Sequence, residues 1–349
     1  MQGLRLAAGD EARKGLAGVG DARWGNMVGW SDSRIVGLIG VAGVVVAARP
    51  PGRLSAQGVG GGVRVAGYVQ PRFESVGDSA LFFLRRVRLG AQGDLTPWAR
   101  FKAQVDLRYL GSNGTSSSVV GTDLYVVLTG TRAAVTLGQA KVPFSTEEIL
   151  SSGALPLPDR SVVVGDYAPN RDIGVQVDWR PRPPLGGPLE IEGGVFDGEG
   201  PNHASNPDKK MLYVGRAAVS PAAALELSGG VAAYPDSTWW DAGASAHHGA
   251  WLVRAEWLRR NLRGTSNHLS GWYALAAYMV RAERVQLVGR VEEFDPTSAP
   301  RDGETAYTAG AQYFFRGEDF KIQASYALFT EQGPAVTNNR LIVQMQARF

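Results

Sequence analysis

The chain has 349 residues, 44% hydrophobic and 20% charged, with 45 glycines and no cysteine. Without cysteine there are no thiolate metal sites, disulfides or cysteine nucleophiles, and so modest an apolar content excludes a bundle of membrane-spanning helices. The formal net charge is only +3, so any strong field has to come from how the charges are placed.

The longest uncharged apolar run is Ile35 to Ala48, fourteen residues. A spanning helix needs about 20 residues, whereas a signal-peptide core is this short. Arg34 gives the positive flank, and Leu54-Ser55-Ala56 offers a cleavage site before Gln57. Residues 1–56 therefore read as an extension ahead of a start near Met27, followed by a signal peptide with its core at 35–48. An interfacial or core helix is the competing reading. Residues 57–62 read as a flexible mature N-terminus. Their glycines neither follow a strand nor open a helix, so they do not suggest a phosphate-binding loop.

From residue 63 the pattern changes to a period of two. In Ala99–Tyr109, Ala99, Phe101, Ala103, Val105, Leu107 and Tyr109 share one face, opposite Arg100, Lys102, Gln104, Asp106 and Arg108. Ile173, Val175, Val177 and Trp179 oppose Asp172, Gln176, Asp178 and Arg180 in the same way. Trp251, Val253, Ala255 and Trp257 oppose Arg254 and Glu256, while Ile322, Ala324, Tyr326 and Leu328 oppose Lys321, Gln323 and Ser325. A helix would spread such neighbours around all sides, so these are strands. Sixteen are expected, at 63–73, 82–94, 98–110, 122–130, 132–141, 172–180, 188–196, 211–219, 224–233, 239–248, 250–259, 270–280, 284–294, 305–315, 320–329 and 339–349. The last carries Leu341, Val343, Met345, Ala347 and Phe349 on one face and Arg340, Gln344, Gln346 and Arg348 on the other, with Ile342 the exception. Bacterial outer-membrane barrels typically close with a strand ending in an aromatic residue.

Even strand number, an apolar outer face and a polar inner one describe an all-β, closed antiparallel transmembrane barrel over 63–349, wide enough for an aqueous channel. Trp98, Tyr109, Trp179, Trp239, Trp240 and Trp257 lie where an interfacial aromatic girdle is expected. The long segment between Lys141 and Arg171 lacks periodicity, as functional or disordered loops do. It is either a loop folded into the lumen or an external surface loop.

Several segments resemble the phosphate-selective porin O and P family. Gly67-Tyr68-Val69-Gln70 and Phe83-Leu84-Arg85-Arg86-Val87-Arg88-Leu89-Gly90 open the series. Leu137-Gly138-Gln139-Ala140-Lys141-Val142-Pro143-Phe144-Ser145, then Asp159-Arg160-Ser161, Arg171-Asp172-Ile173-Gly174-Val175 and Gly289-Arg290-Val291-Glu292-Glu293-Phe294-Asp295-Pro296 continue it in order. The resemblance implies a homotrimeric sixteen-stranded channel in the bacterial outer membrane, in contact with lipid and lipopolysaccharide, passing small inorganic anions. Phosphate or polyphosphate is the candidate solute. It also implies that the 141–171 loop folds into the pore and that external loops are trimmed.

An anion path needs fixed positive charge along its wall. The inner faces of the first three strands supply Arg64, Arg72, Arg86, Arg88, Arg100, Lys102 and Arg108, seven cations against one acid, Asp106. Lys141, Arg160 and Arg171 would extend this stripe at the constriction, opposite the loop acids Glu147, Glu148 and Asp159. Forked guanidinium donors suit phosphate. A general porin is the alternative, with Arg86 and Arg88 paired off against Asp106, Glu147 or Glu148. An enzyme is the rival class, yet His203, His247, His248 and His268 have no distinctive serine or aspartate context. Adjacent His247 and His248 point to opposite faces of a strand, which disfavours a metal site. Asp197, Glu199 and Asn202 are explained by a turn more simply than by calcium. No cofactor, metal, catalytic residue or nucleic-acid partner is expected, and a soluble sandwich is the remaining competitor.

Overall fold

Period-two alternation carries through the computed structural model, which describes residues 62–107, 119–180, 189–264, 268–281, 283–295, 303–333 and 336–349. The expected signal peptide and extension, residues 57–61 and Arg108 lie outside the described residues. The strands are β1 Arg64–Val76, β2 Ser79–Thr96, β3 Ala99–Asp106, β4 Val120–Thr129, β5 Ala133–Lys141 and β6 Arg171–Trp179. Then follow β7 Leu189–Phe196, β8 Leu212–Ala222, β9 Leu225–Tyr234, β10 Ser237–His248 and β11 Trp251–Leu262. The last are β12 His268–Arg281, β13 Val285–Phe294, β14 Glu304–Arg316, β15 Phe320–Glu331 and β16 Arg340–Arg348.

Each strand pairs antiparallel with its sequence neighbours, and β1 pairs with β16 to close the barrel. Closure removes the open edge that would otherwise expose unpaired backbone groups to lipid. The seam runs from Tyr68↔Arg348 to Val76↔Arg340. It ends where the Phe349 N–H donates to Gly67 O at 3.0 Å and the Gly67 N–H to Phe349 O at 3.1 Å. Outside, Trp240, Trp251, Val253, Trp257, Tyr307, Tyr326, Leu328 and Leu341 are exposed, as lipid-facing residues must be. Trp239 departs from the expected girdle. It lies on the inner face, packed against the interior cluster and under the Arg260 guanidinium.

The 142–170 connection lies inside the barrel, because it touches inward side chains on well-separated strands. Tyr68 Oη and Ser152 Oγ are 2.8 Å apart on the β1 side. Gln346 Nε2 donates to Gly153 O at 3.1 Å, and Lys321 Nζ and Gln323 Nε2 reach Leu155 O at 3.2 and 3.0 Å. On the β11–β13 side the contacts are carboxylates. Glu256 accepts from Ser145 Oγ and from the Thr146 and Glu147 N–H groups at 2.9, 2.6 and 3.0 Å, at the start of the short helix Thr146–Ile149. Glu292 accepts from Ser161 Oγ and the Val162 N–H at 2.6 and 2.7 Å, opening the helix Val162–Tyr167. Helix starts carry unpaired N–H groups and partial positive charge, so a wall carboxylate satisfies both.

The interior is not polar throughout. Phe196, Leu212, Leu258, Tyr273, Leu275 and Phe294 face inward and bury Val142, Phe144, Leu157, Val163, Val164 and Tyr167 of the loop. Burying each such loop side chain contributes roughly 1.5–3 kcal/mol, so this apolar wall is the loop's seat. Two wall glycines make the fit possible: a Cβ at Gly310 would lie 2.6 Å from Leu157 Cδ2, and one at Gly271 2.9 Å from Val163 Cγ2. At the same end the β1–β2 and β9–β10 connections are two-residue turns, at 77–78 and 235–236.

Candidate functional site: a cation wall held by a lumen loop

The first cations meet the loop at Asp159. Arg72 grips its carboxylate with both terminal nitrogens, at 2.7 and 2.8 Å, and donates to Pro158 O at 3.2 Å and to Gln344 Oε1 through Nε at 3.0 Å and Nη2 at 2.7 Å. Arg85 Nε lies 3.5 Å from the same carboxylate, and Arg340 Nη2 3.9 Å away. Burial alone would raise this carboxyl, but Arg72 and Arg85 outweigh it and hold Asp159 well below the usual carboxylate range. Arg85 and Arg340 were not among the expected pathway residues. Strict alternation hides Arg85, which faces inward because a bulge opposite Gln70/Pro71 places one extra residue in β2.

Deeper along the same wall the cations are paired. Arg86 donates to Gln70 Oε1 at 2.8 Å, and Arg88 Nε lies 3.3 Å from Asp106. Lys102 bonds Asp123 on β4, which also takes Arg171 Nε at 2.8 Å, giving a buried triad. Lys141 Nζ lies 2.8 Å from Glu148 Oε1, and Arg160 Nε 3.1 Å from its other oxygen. Arg100 pairs with Asp94 at 2.9 Å, and Arg64 is exposed. The expected balance of seven cations to one acid is therefore corrected. Glu74, at 3.2 Å from Arg72, and Asp94 add to Asp106 within the counted strands, and Asp123 on the neighbouring strand lay outside them.

The acids of the loop are structural as much as electrostatic. Glu147 accepts from the Ser161 N–H at 2.8 Å, and its carboxyl is raised by burial and by Glu256, against the pull of Arg290 and Arg254. Asp166 is exposed at its side chain, yet desolvation inside the barrel, reinforced by Glu292 and opposed by Arg340, pushes its carboxyl up to about 6. Protonation below that pH removes one negative charge from the lumen. Anion preference should consequently rise as pH falls from 7.5 to 5, and Asp166→Asn should flatten that rise. Reversal potentials of both proteins across this range check it, and parallel profiles would contradict it.

The opposite side of the ring carries Glu192, Glu226, Asp241 and Glu256 on β7, β9, β10 and β11. Among the described residues, one group of carboxylates could approach a metal, Asp178, Glu190 and Glu192. Arg180 bonds Glu190, and Arg216 Nη1 donates to Glu192 at 2.9 Å, so this group is already met by cations.

A closed sixteen-stranded barrel with a lipid-facing apolar band and a loop across its lumen is the architecture of an outer-membrane porin. The family model described as phosphate-selective porin O and P matches residues 59–239 and 227–349, and the chain belongs to that family. Among solved structures, an anion-selective porin from Comamonas acidovorans is similar at 16% identity and a TM-score of 0.60, covering 82% of this chain and 99% of its own. The outer-membrane channel DcaP of Acinetobacter baumannii is similar at 12% identity and a TM-score of 0.60, covering 84% and 99%. OmpT of Vibrio cholerae, described in a trimer form, is similar at 10% identity and a TM-score of 0.58, covering 83% and 99%. A search of curated proteins found no match to the sequence. At these identities the structures share the fold, and the family match places the chain in the bacterial outer membrane.

Proposed function

We propose that the protein is a passive channel for small anions, phosphate among them, working as a homotrimer with lipid and lipopolysaccharide around its apolar band. The observation that carries this reading is the division of the lumen into two walls. Arg340, Arg72, Arg85, Arg86, Arg88 and Lys102 line β16 through β3, with Glu74 and Asp106 among them, while Glu192, Glu226, Asp241 and Glu256, interspersed with Arg216 and Arg254, line the wall across from them. Such a field draws an anion to one side of the constriction. Lys141, Arg160 and Arg171 extend the positive wall where the loop leaves and rejoins it. Most of these groups are buried, so they act on a passing ion through the field rather than by contact. The trimer rests on the OmpT likeness, and phosphate on the family's description.

A general porin of weak selectivity is the second reading, favoured by the pairing of Arg88, Lys102 and Lys141 with Asp106, Asp123 and Glu148. The two separate in planar bilayers. Millimolar phosphate should reduce the chloride current of a phosphate-binding channel saturably, whereas a general porin should conduct both ions in proportion to their concentrations.

A further inference from the structure

The longer connections, 142–170, 197–211 and 332–339, leave one end of the barrel, and 97–98, 130–132, 223–224, 249–250 and 317–319 leave the other. Long connections face the cell exterior in barrels of this kind, so β11 ends towards the outer leaflet. There Trp257 points outward and Leu258 inward, and Arg260 turns in over Trp239, which leaves Arg259 and Asn261 on the outer face. Arg259 pairs in register with Trp240 and Ser270, and Asn261 with Thr238 and His268. One step towards the membrane, Trp257 pairs with Trp272. The exposed indoles of Trp240, Trp257 and Trp272, on three neighbouring strands, thus flank Arg259 beside and below. Arg259 stands eight residues from Trp251 at the other end of the strand, roughly 20 Å up the barrel wall once the strand's tilt is allowed for. A cation on the lipid face is costly at mid-depth and tolerated at the interface, which is where this one lies.

Arg259 is oriented but not neutralised. Its Nε donates to Asn261 Oδ1 at 2.8 Å, and its terminal nitrogens have no hydrogen-bond or ion-pair partner among the described residues. The acids on the neighbouring strands are engaged elsewhere. Glu293 accepts from Trp272 Nε1 at 3.2 Å, and Asp295 from the Ser270 N–H and Oγ at 3.3 and 3.1 Å. Towards mid-membrane the same face continues as Ala242, Ala244, Ala255, Ala274 and Ala276, a shallow strip of small side chains. We propose that this patch binds lipopolysaccharide, with a phosphate of its sugar headgroup on Arg259, Asn261 Nδ2 and His268 at the rim, and acyl chains along the alanine strip. Forked guanidinium donors match phosphate oxygens, and indole rings settle at the headgroup level. The proposal rests on the reading that lipopolysaccharide surrounds the barrel, and it is independent of the anion path.

The test is native mass spectrometry of the detergent-solubilised protein titrated with bisphosphorylated lipid A, the same lipid A stripped of its phosphates, and inorganic phosphate. The native protein should hold bisphosphorylated lipid A about ten-fold more tightly than the dephosphorylated form, a difference matching one charge-assisted hydrogen bond. Arg259→Gln should abolish that preference and keep the weaker binding common to both lipids. Arg259→Lys, which retains the charge without the fork, should show an intermediate preference, and it remains informative if Arg259→Gln assembles poorly. Millimolar inorganic phosphate should displace neither lipid, since it has no chains to seat. Equal affinity for the two lipids, or an undiminished preference in Arg259→Gln, overturns the site and leaves lipopolysaccharide around the barrel standing. Displacement by inorganic phosphate overturns it in favour of a free-ion site. Binding confined to the dissociated chain overturns it as well, because a neighbouring copy then covers this face. A protein that takes up no lipid A in any state overturns both the site and the reading beneath it.

Discussion

Asparagine at Asp159 should raise the anion-to-cation permeability ratio several-fold. The carboxylate sits among Arg72, Arg85 and Arg340, beside Glu74, which lies 3.2 Å from Arg72 and 3.8 Å from Arg340, and it is ionised throughout the working pH range because those guanidinium groups hold it so. Removing its charge leaves three guanidinium groups against Glu74 at the place where the loop meets the wall. One charge at about 10 Å, with an effective dielectric near 20 and partial screening, changes a passing ion's energy by on the order of 1 kcal/mol. The amide can still accept from Arg72, so the loop should stay seated and the change should appear in selectivity before conductance. Reversal potentials in a salt gradient measure it. A ratio unchanged within error would mean that ions do not pass near Asp159.

The second large effect is on stability. Asp123→Asn removes the anion shared by Lys102 and Arg171, both buried. Breaking a buried ion pair from one side leaves uncompensated charge and costs about 3–5 kcal/mol. Lys102 should suffer more than Arg171, because an ammonium cannot spread its charge over a planar group. The urea midpoint of the barrel refolded in lipid vesicles should fall, and its heat-shifted band on a gel should melt earlier. A double change to Asp123→Leu with Lys102→Met should recover part of the loss, since an apolar pair needs no hydration. Equal midpoints for Asp123→Asn and the native protein would show that water or another acid already serves the two cations.

What the sequence made legible was the local part. The alternation in 320–329 placed Lys321, Gln323 and Ser325 inside, and they are buried there. All sixteen segments form strands, and the closing strand meets β1. Three things were not legible for physical reasons. A bulge moves Arg85 to the inner face, and one inserted residue leaves no mark in composition. Asp123 reaches Lys102 across a strand pair, so a count along β1–β3 could not include it. The loop's contacts with Glu256, Glu292 and Gln346 span more than a hundred residues each, and no periodicity reports such distances. The same blindness covers the inward apolar wall. Leu258 and Leu275 look like breaks in a polar face until Phe144 and Val163 are seen against them. Ile342 likewise read as an exception before the loop supplied its neighbour.

The zero-current potential of the native protein in a planar bilayer, under a ten-fold potassium chloride gradient, tests the central claim most directly. A channel whose passing ions feel the β16–β3 cation wall should give a potential of the sign set by chloride. That preference should strengthen in Asp159→Asn and as pH falls towards 5. A potential of the sign set by potassium, in channels of otherwise ordinary conductance, would contradict the account.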